Sequence, residues 1–111
     1  MKYIFCSTAA CILEEINSNN LKLMLDIFHL QHIQGNVANT FKEMSPRIGH
    51  IQIAQVPHRH EPDVEGELDF NYVFRLIKND LKYAGWIGCE YVPEKGTIEG
   101  LKWLAKFGLE L

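Results

Sequence analysis

Hydrophobic and polar positions alternate along residues 50–56, where the sequence reads HIQIAQV. In an extended chain, Ile51 and Ile53 point to one side and Gln52 points to the other. This alternation predicts a β-strand with one apolar face. Two further apolar runs have the length of a strand and predict two more strands: LKLMLDIF over 21–28 and WIGCEYV over 86–92.

Segments with helical spacing lie between the predicted strands. Val37, Phe41 and Met44 follow each other at i, i+4 and i+7, and Asp69 is a plausible N-cap for the segment FNYVFRLIKNDL. The four predicted helices span 9–17, 36–44, 70–81 and 98–107, the last capped by Thr97 and ended by Gly108. The resulting order α-β-α-β-α-β-α predicts a parallel sheet with right-handed crossovers, in the α/β class.

Each predicted strand has one apolar face and one mixed face. The apolar faces carry Leu21, Leu23, Leu25 and Ile27; Ile51 and Ile53; Ile87, Cys89 and Tyr91. The opposite faces carry Lys22, Met24 and Asp26; His50, Gln52 and Ala54; Trp86, Gly88 and Glu90. An open doubly wound sheet buries both faces and is usually apolar on both. A polar second face favours the inside of a (β/α) barrel, whose active site lies at the C-terminal ends of the strands.

Three oxygen-bearing side chains lie towards the C-terminal ends of these strands: Asp26, Gln52 and Glu90. Carboxylate and amide oxygens on adjacent strands suit a hard divalent cation, Mg²⁺ or Mn²⁺. For each residue alone there is a structural explanation. A carboxylate at a strand end commonly caps a helix or faces solvent, and a buried glutamine commonly satisfies a backbone group.

Composition and charge indicate the number of domains, the classes of partner and the cellular compartment. The 111 residues suffice for one small domain, and the net charge of −3 without a basic patch gives no sign of a nucleic-acid or membrane partner. The three cysteines, Cys6, Cys11 and Cys89, form no CxxC pair, so we expect reduced thiols in a cytoplasmic protein. Ser7 and Thr8 interrupt the apolar N-terminal stretch, and we predict no signal peptide.

Five stretches together resemble the hydroxypyruvate isomerase family, which belongs to the xylose isomerase-like TIM barrels: LDIFHLQ, GHIQIAQVP, RHEP, GELDFNYVF and GWIGCEYVP. The resemblance extends from about residue 9 to the end, and it assigns nothing to residues 1–8. It implies that residues 1–111 contain the last three βα units of a (β/α)8 barrel, strands six to eight. The barrel would therefore be incomplete.

The resemblance also implies roles for individual residues. Asp26, Gln52 and Glu90 are similar to three of the family's four metal ligands, and Glu90 is similar to one of its two acid–base glutamates. His29 matches a histidine near the substrate oxygens, and Arg59 a loop arginine that would bind the substrate carboxylate. No role is assigned to Gln55 or Glu61, and we expect the two loop histidines, His58 and His60, to be solvated or supporting.

The reaction implied by the resemblance converts hydroxypyruvate to 2-hydroxy-3-oxopropanoate. A proton leaves the carbon next to the carbonyl and another returns to the neighbouring carbon, through an ene-diolate that a divalent metal stabilises. No organic cofactor is needed. The family's fourth ligand, which is also its second acid–base glutamate, belongs to strand five and would precede Met1, and Glu14 and Glu15 do not replace it. We therefore expect the chain to be inactive alone, with sheet edges open to self-association.

Three alternatives remain. The first is a keto-sugar epimerase of the same superfamily, which Gln52 argues against because a histidine is expected there in epimerases. The second is a non-catalytic half-barrel that acts by binding a partner. The third is an unrelated small α/β domain.

Overall fold

The structure, a computed structural model, describes the backbone of residues 4–111 and the side chains from Thr8 onward. Helix α1 spans Ile4–Ile16, so it begins earlier than predicted and includes part of the segment that the sequence left unassigned. Met1, Lys2 and Tyr3 lie outside the described residues. No helix in the described part of the chain is long and apolar enough to cross a membrane.

Three parallel strands form one sheet in the order β1-β2-β3, which confirms the predicted α/β class and strand direction. The strands are β1 (Leu23–Asp26), β2 (Ile48–Ile53) and β3 (Ile87–Cys89). β1 and β3 form the two edges of this sheet, and among the described strands they do not pair with each other. The sheet is therefore an open segment and not a closed barrel.

The first strand is shorter than predicted, because Ile27 and Phe28 belong to a helix. Asp26 ends β1, and its side-chain Oδ1 accepts a hydrogen bond from the backbone N–H of His29, 3.2 Å away. This cap starts α2 (Ile27–Ile33), a helix that the sequence analysis missed. Ile27 is fully buried, but as a helix residue and not on the strand face assigned to it.

The remaining helices differ from prediction mainly at their ends. Helix α3 spans Val37–Met44, and a 3₁₀ turn (Ser45–Arg47) leads directly into β2. Asp69 caps α4 (Phe70–Arg75) as predicted, by accepting hydrogen bonds from the N–H groups of Asn71 and Tyr72. A π-helical turn (Leu76–Asp80) then takes the place of the predicted regular helix.

The predicted cap at Thr97 is wrong. The C-terminal segment forms a 3₁₀ turn (Glu99–Leu101) and the short helix α5 (Trp103–Lys106), and no side chain caps the turn. The backbone N–H of Gly100 donates a hydrogen bond to the carbonyl of Gly96, 2.8 Å away. Gly108 has a φ of +65°, which suits a residue that ends a helix.

The hydrophobic core lies on one side of the sheet, where the helices cover it. Leu25, Ile51 and Ile53 are buried there, as the apolar faces predicted. The prediction is wrong for Leu21, which precedes β1 and is 39% exposed, and for Cys89, which is exposed. The core also contains Ile27, Leu30, Phe41, Phe70, Val73, Phe74, Leu76, Ile77 and Trp103. The opposite side is more open in the described part of the chain: Met24 is 58% exposed and Glu90 is exposed. This uncovered face is the one on which the predicted site residues lie.

Candidate active site

Strand register brings the three predicted ligands together at the C-terminal end of the sheet. Asp26 is the last residue of β1 and pairs with Gln52 of β2. Glu90 directly follows β3, and its N–H donates to the carbonyl of Ile53, 3.1 Å away. The three side chains thus lie at the C-terminal ends of neighbouring parallel strands, the position at which barrel enzymes of this kind hold their catalytic groups.

A cavity of about 440 Å³ opens between these strand ends and helix α2. Asp26, His29, Gln52 and Glu90 all contribute to its wall. The rest of the wall is mostly apolar: Ala9, Leu23, Met24, Leu25 and Leu30. A largely apolar cavity with a few converging polar groups is typical of a site for a small molecule.

Asp26 has a structural role and still offers an oxygen to the cavity. Its Oδ1 caps α2, a common structural role for a carboxylate at the end of a strand. Its Oδ2 lies 3.7 Å from Nε2 of His29 and 3.6 Å from Nη2 of Arg59. Only 10% of the Asp26 side chain is exposed, so the cap holds this second oxygen in a fixed place.

Arg59 reaches the site from the loop that follows β2. Its Nη2 lies 3.1 Å from Oε1 of Glu90, and its Nε donates to the Glu90 carbonyl at 3.3 Å. The guanidinium carbon lies 4.8 Å from the centre of the Phe28 ring, over its face. Arg59 has a φ of +60°, an uncommon conformation for a residue with a side chain. The surrounding loop holds it there.

Gln55 organises this loop from its buried amide. Its Nε2 donates to the carbonyls of Val64 and Leu68, and its Oε1 accepts from the N–H groups of Val56 and Leu68. The backbone N–H of Arg59 donates to the Gln55 carbonyl at 2.9 Å. The loop that carries Arg59 is therefore held in its conformation by hydrogen bonds within the loop.

A second set of contacts ties the loop to the segment after β3. The carboxylate of Glu61, 6% exposed, accepts the N–H of Glu94 through Oε1 at 3.0 Å. The N–H of Val92 donates to the Arg59 carbonyl at 2.8 Å, and Nδ1 of His60 lies 2.8 Å from the Val92 carbonyl. His58 is exposed. No role was predicted from the sequence for Gln55, Glu61 or Phe28.

Cys89 directly precedes Glu90 in the chain. Desolvation raises the pKa of the Cys89 thiol above its ordinary value, which disfavours the reactive thiolate.

The donor set fits a divalent cation in kind. Among the residues that the structure describes, no three His, Cys, Asp or Glu side chains form a metal-binding group by themselves. The predicted ligand set, Asp26, Gln52 and Glu90, contains only two such side chains, and its third oxygen comes from the amide of Gln52. One nitrogen atom of Arg59 lies within 3.6 Å of an oxygen of each carboxylate, so the two side chains face a common point. Two carboxylates and an amide are ligands suited to Mg²⁺ or Mn²⁺.

The sequence matches one family along nearly its whole length. The family described as xylose isomerase-like TIM barrel matches residues 5–107. The chain is 39% identical to a solved structure described as AP endonuclease, family 2, from Brucella melitensis, with a TM-score of 0.84 over 91% of this chain and 38% of that one.

Curated relatives are similar to the chain at higher identity. A Drosophila melanogaster protein named "Putative hydroxypyruvate isomerase" is 53% identical over 95% of this chain. The hydroxypyruvate isomerase of Escherichia coli is 42% identical over 84% of it, and the 2-oxo-tetronate isomerase of Cupriavidus necator is 50% identical over 86%.

The chain spans only 35% to 39% of the length of these three relatives. Its three-stranded parallel sheet, with polar groups at the strand ends, is accordingly a segment of the larger fold. The chain belongs to the xylose isomerase-like TIM barrel family.

Proposed function

We propose that the chain contributes the metal- and substrate-binding part of an isomerase that acts on small 2-oxo acids, with hydroxypyruvate as the first candidate. The observation that supports this most directly is the convergence of Asp26, His29, Gln52 and Glu90 on one cavity, with Arg59 at its rim. Relatives named as isomerases of hydroxypyruvate and of 2-oxo-tetronate support the substrate class.

The proposed roles follow from the chemistry of each group. Asp26, Gln52 and Glu90 would hold a divalent metal, which when bound supplies Lewis acidity to the substrate oxygens. Arg59 would bind the substrate carboxylate, since its planar guanidinium can donate two parallel hydrogen bonds to such a group. His29 lies on the cavity wall and would donate a hydrogen bond to a substrate oxygen.

Glu90 would act as the acid–base group of this part. It lines the cavity and its side chain is 49% exposed, so a substrate carbon can approach the carboxylate. It would take the proton from the carbon next to the carbonyl. The resemblance implies that the partner glutamate belongs to an earlier strand, so we expect the 111-residue chain to bind metal and substrate without turning substrate over.

Mn²⁺ calorimetry on the 111-residue chain tests the site. Wild type should bind Mn²⁺, and the double variant Asp26→Ala/Glu90→Ala should not. The control Asp80→Ala/Glu99→Ala removes two exposed carboxylates that lie outside the cavity wall, and it should bind like wild type. Mn²⁺ binding that survives in Asp26→Ala/Glu90→Ala would contradict the proposed site, and so would a folded wild-type chain that binds none.

The substrate class needs a separate measurement, because keto-sugar epimerases are the competing assignment. Bound Mn²⁺ should broaden the proton signal of the hydroxypyruvate methylene group in the presence of wild-type chain. The Asp26→Ala/Glu90→Ala chain gives the background from free Mn²⁺. A ketohexose that is broadened more strongly than hydroxypyruvate would favour the epimerase.

A further inference from the structure

One atom of Arg59 contacts both carboxylates of the site. Its Nη2 lies 3.1 Å from Oε1 of Glu90 and 3.6 Å from Oδ2 of Asp26. These two side chains are also proposed metal ligands. A guanidinium and a divalent cation that bind the same oxygens repel each other, so the binding of one weakens the binding of the other.

We propose that Arg59 and the divalent metal compete for Asp26 and Glu90, so that metal binding releases Arg59 to bind the substrate carboxylate. This inference rests on the proposed function, and it adds an order of events. Arg59 would pair with Asp26 and Glu90 in the metal-free site, and its guanidinium would be free for the substrate carboxylate only once these two side chains hold a metal.

The surroundings of Arg59 allow this exchange with little movement. The backbone of Arg59 is fixed on both sides, since its N–H donates to Gln55 and its carbonyl accepts from Val92. The Phe28 ring lies under the guanidinium. The guanidinium can rotate in its own plane above the ring and keep this cation–π contact. Only the end of the side chain has to turn.

The charges of the site point the same way. Asp26 and Glu90 carry two formal negative charges, and Arg59 compensates one of them. A divalent cation would compensate both, which leaves the positive charge of Arg59 for a singly charged carboxylate ligand. With a divalent metal and such a ligand both bound, the formal charges of these five groups would sum to zero.

Mn²⁺ calorimetry on three arginine variants tests the competition. Arg59→Gln should bind Mn²⁺ roughly three- to tenfold more tightly than wild type, the effect expected from removing one or two partly exposed ion pairs. Arg59→Lys keeps the charge but loses the planar fork, and its affinity should fall between the two. Arg47→Gln removes a cation that pairs with Glu14 outside the cavity wall, and it should match wild type.

A titration of wild type with Mg²⁺ gives a second readout that needs no variant. The Nε–H signal of Arg59 in a ¹⁵N spectrum should shift in step with Mg²⁺ binding, while that of Arg47 should not. The two failures are distinguishable. Equal Mn²⁺ affinity in Arg59→Gln and wild type, or an unmoved Arg59 signal at saturation, overturns the competition but leaves the metal site standing. Absence of Mn²⁺ and Mg²⁺ binding in wild type overturns both proposals.

Discussion

Glu61 joins two segments that are 33 residues apart, because both of its carboxylate oxygens accept the N–H of Glu94, at 3.0 and 3.3 Å. The first segment carries Arg59 and the second follows Glu90. The distance between the candidate carboxylate-binding arginine and the candidate acid–base glutamate therefore depends on a residue outside the cavity.

The first prediction concerns this link. Glu61→Ala should lower the free energy of unfolding by about 1–3 kcal/mol, because it leaves the partly buried Glu94 N–H without its acceptor. Glu61→Gln keeps one oxygen acceptor and should recover part of the loss. Urea denaturation gives both values.

Glu65 offers a matched control, since it is an exposed acidic residue of the same loop. Glu65→Ala should change the free energy of unfolding by no more than about 0.5 kcal/mol. If Glu61→Ala proves as mild as Glu65→Ala, the buried link does not stabilise the fold.

A second prediction concerns Gln55, which makes four hydrogen bonds within the loop. Gln55→Leu fills a similar volume but pairs with none of these backbone groups. We expect it to destabilise the chain by about 2–4 kcal/mol, since several buried polar groups lose their partners. Gln31→Leu is the control, because that amide makes a single exposed hydrogen bond to Glu67. Similar unfolding midpoints for the two variants would show that the loop does not need its amide.

The sequence was sufficient to predict which residues are metal-ligand candidates and that they lie together at the C-terminal ends of the strands. Alternation places Asp26, Gln52 and Glu90 on the same face of their strands, and parallel strands put their C-terminal ends together. Both inferences need only the pattern along each strand.

Phe28 was missed because the apolar run of 21–28 continues past the end of β1. A signal was available: Asp26 as a cap, Leu30 at helical spacing from Ile27, and Gly35 as a stop together indicate a helix. The pattern of apolar residues alone could not separate this helix from the strand.

Gln55 and Glu61 are a different case. Their partners are backbone groups of an irregular loop and of a distant segment, including Leu68 and Glu94. A sequence pattern encodes the faces of strands and helices, and it does not encode where the backbone of a loop returns. Such polar contacts become visible only in the structure.

A third prediction concerns alkaline pH. Burial raises the pKa of Tyr91, whose hydroxyl donates to the carbonyl of Gly100 and accepts from Nε1 of Trp103 at 2.8 Å. Burial also raises the pKa of Cys89 and of Tyr83. A group with a raised pKa in the folded state holds its proton longer than in the unfolded state. Its contribution to stability is therefore complete below the unfolded pKa and is lost as the pH rises through the folded pKa.

The ordinary pKa values of the two residue types set the window, about 9.0 for the thiol and 10.0 for the phenols. The free energy of unfolding of wild type should fall from about pH 9 upward. Tyr91→Phe should be less stable at neutral pH by about 1 kcal/mol, because two hydrogen bonds are lost, yet its decline above pH 10 should be shallower. Urea midpoints measured from pH 7 to 11 test this, with Tyr72→Phe as the exposed control. Parallel declines in wild type and Tyr91→Phe would contradict the assignment.

A fourth prediction concerns Gly88, which pairs with Gln52 in the sheet. A Cβ atom at Gly88 would lie 2.9 Å from Nε2 of His50 and 3.5 Å from Cγ of Gln52. The first of these contacts is too close, so Gly88→Ala must displace the imidazole towards its neighbours. Because Gln52 is a proposed metal ligand, we expect Gly88→Ala to weaken Mn²⁺ binding by roughly tenfold, the lower end of the effect of residues that support a ligand.

The imidazole makes this prediction testable by a double-mutant cycle, because His50→Ala removes the atoms that the new methyl group would meet. The double variant Gly88→Ala/His50→Ala should bind Mn²⁺ more tightly than Gly88→Ala alone, and the two effects should not add. His50→Ala alone gives the fourth corner of the cycle and reports any direct contribution of the imidazole. Additive effects would mean that Gly88 does not act through crowding of His50. The glycine would then matter for the backbone of β3, and Gln52 would keep its position without the space that Gly88 leaves.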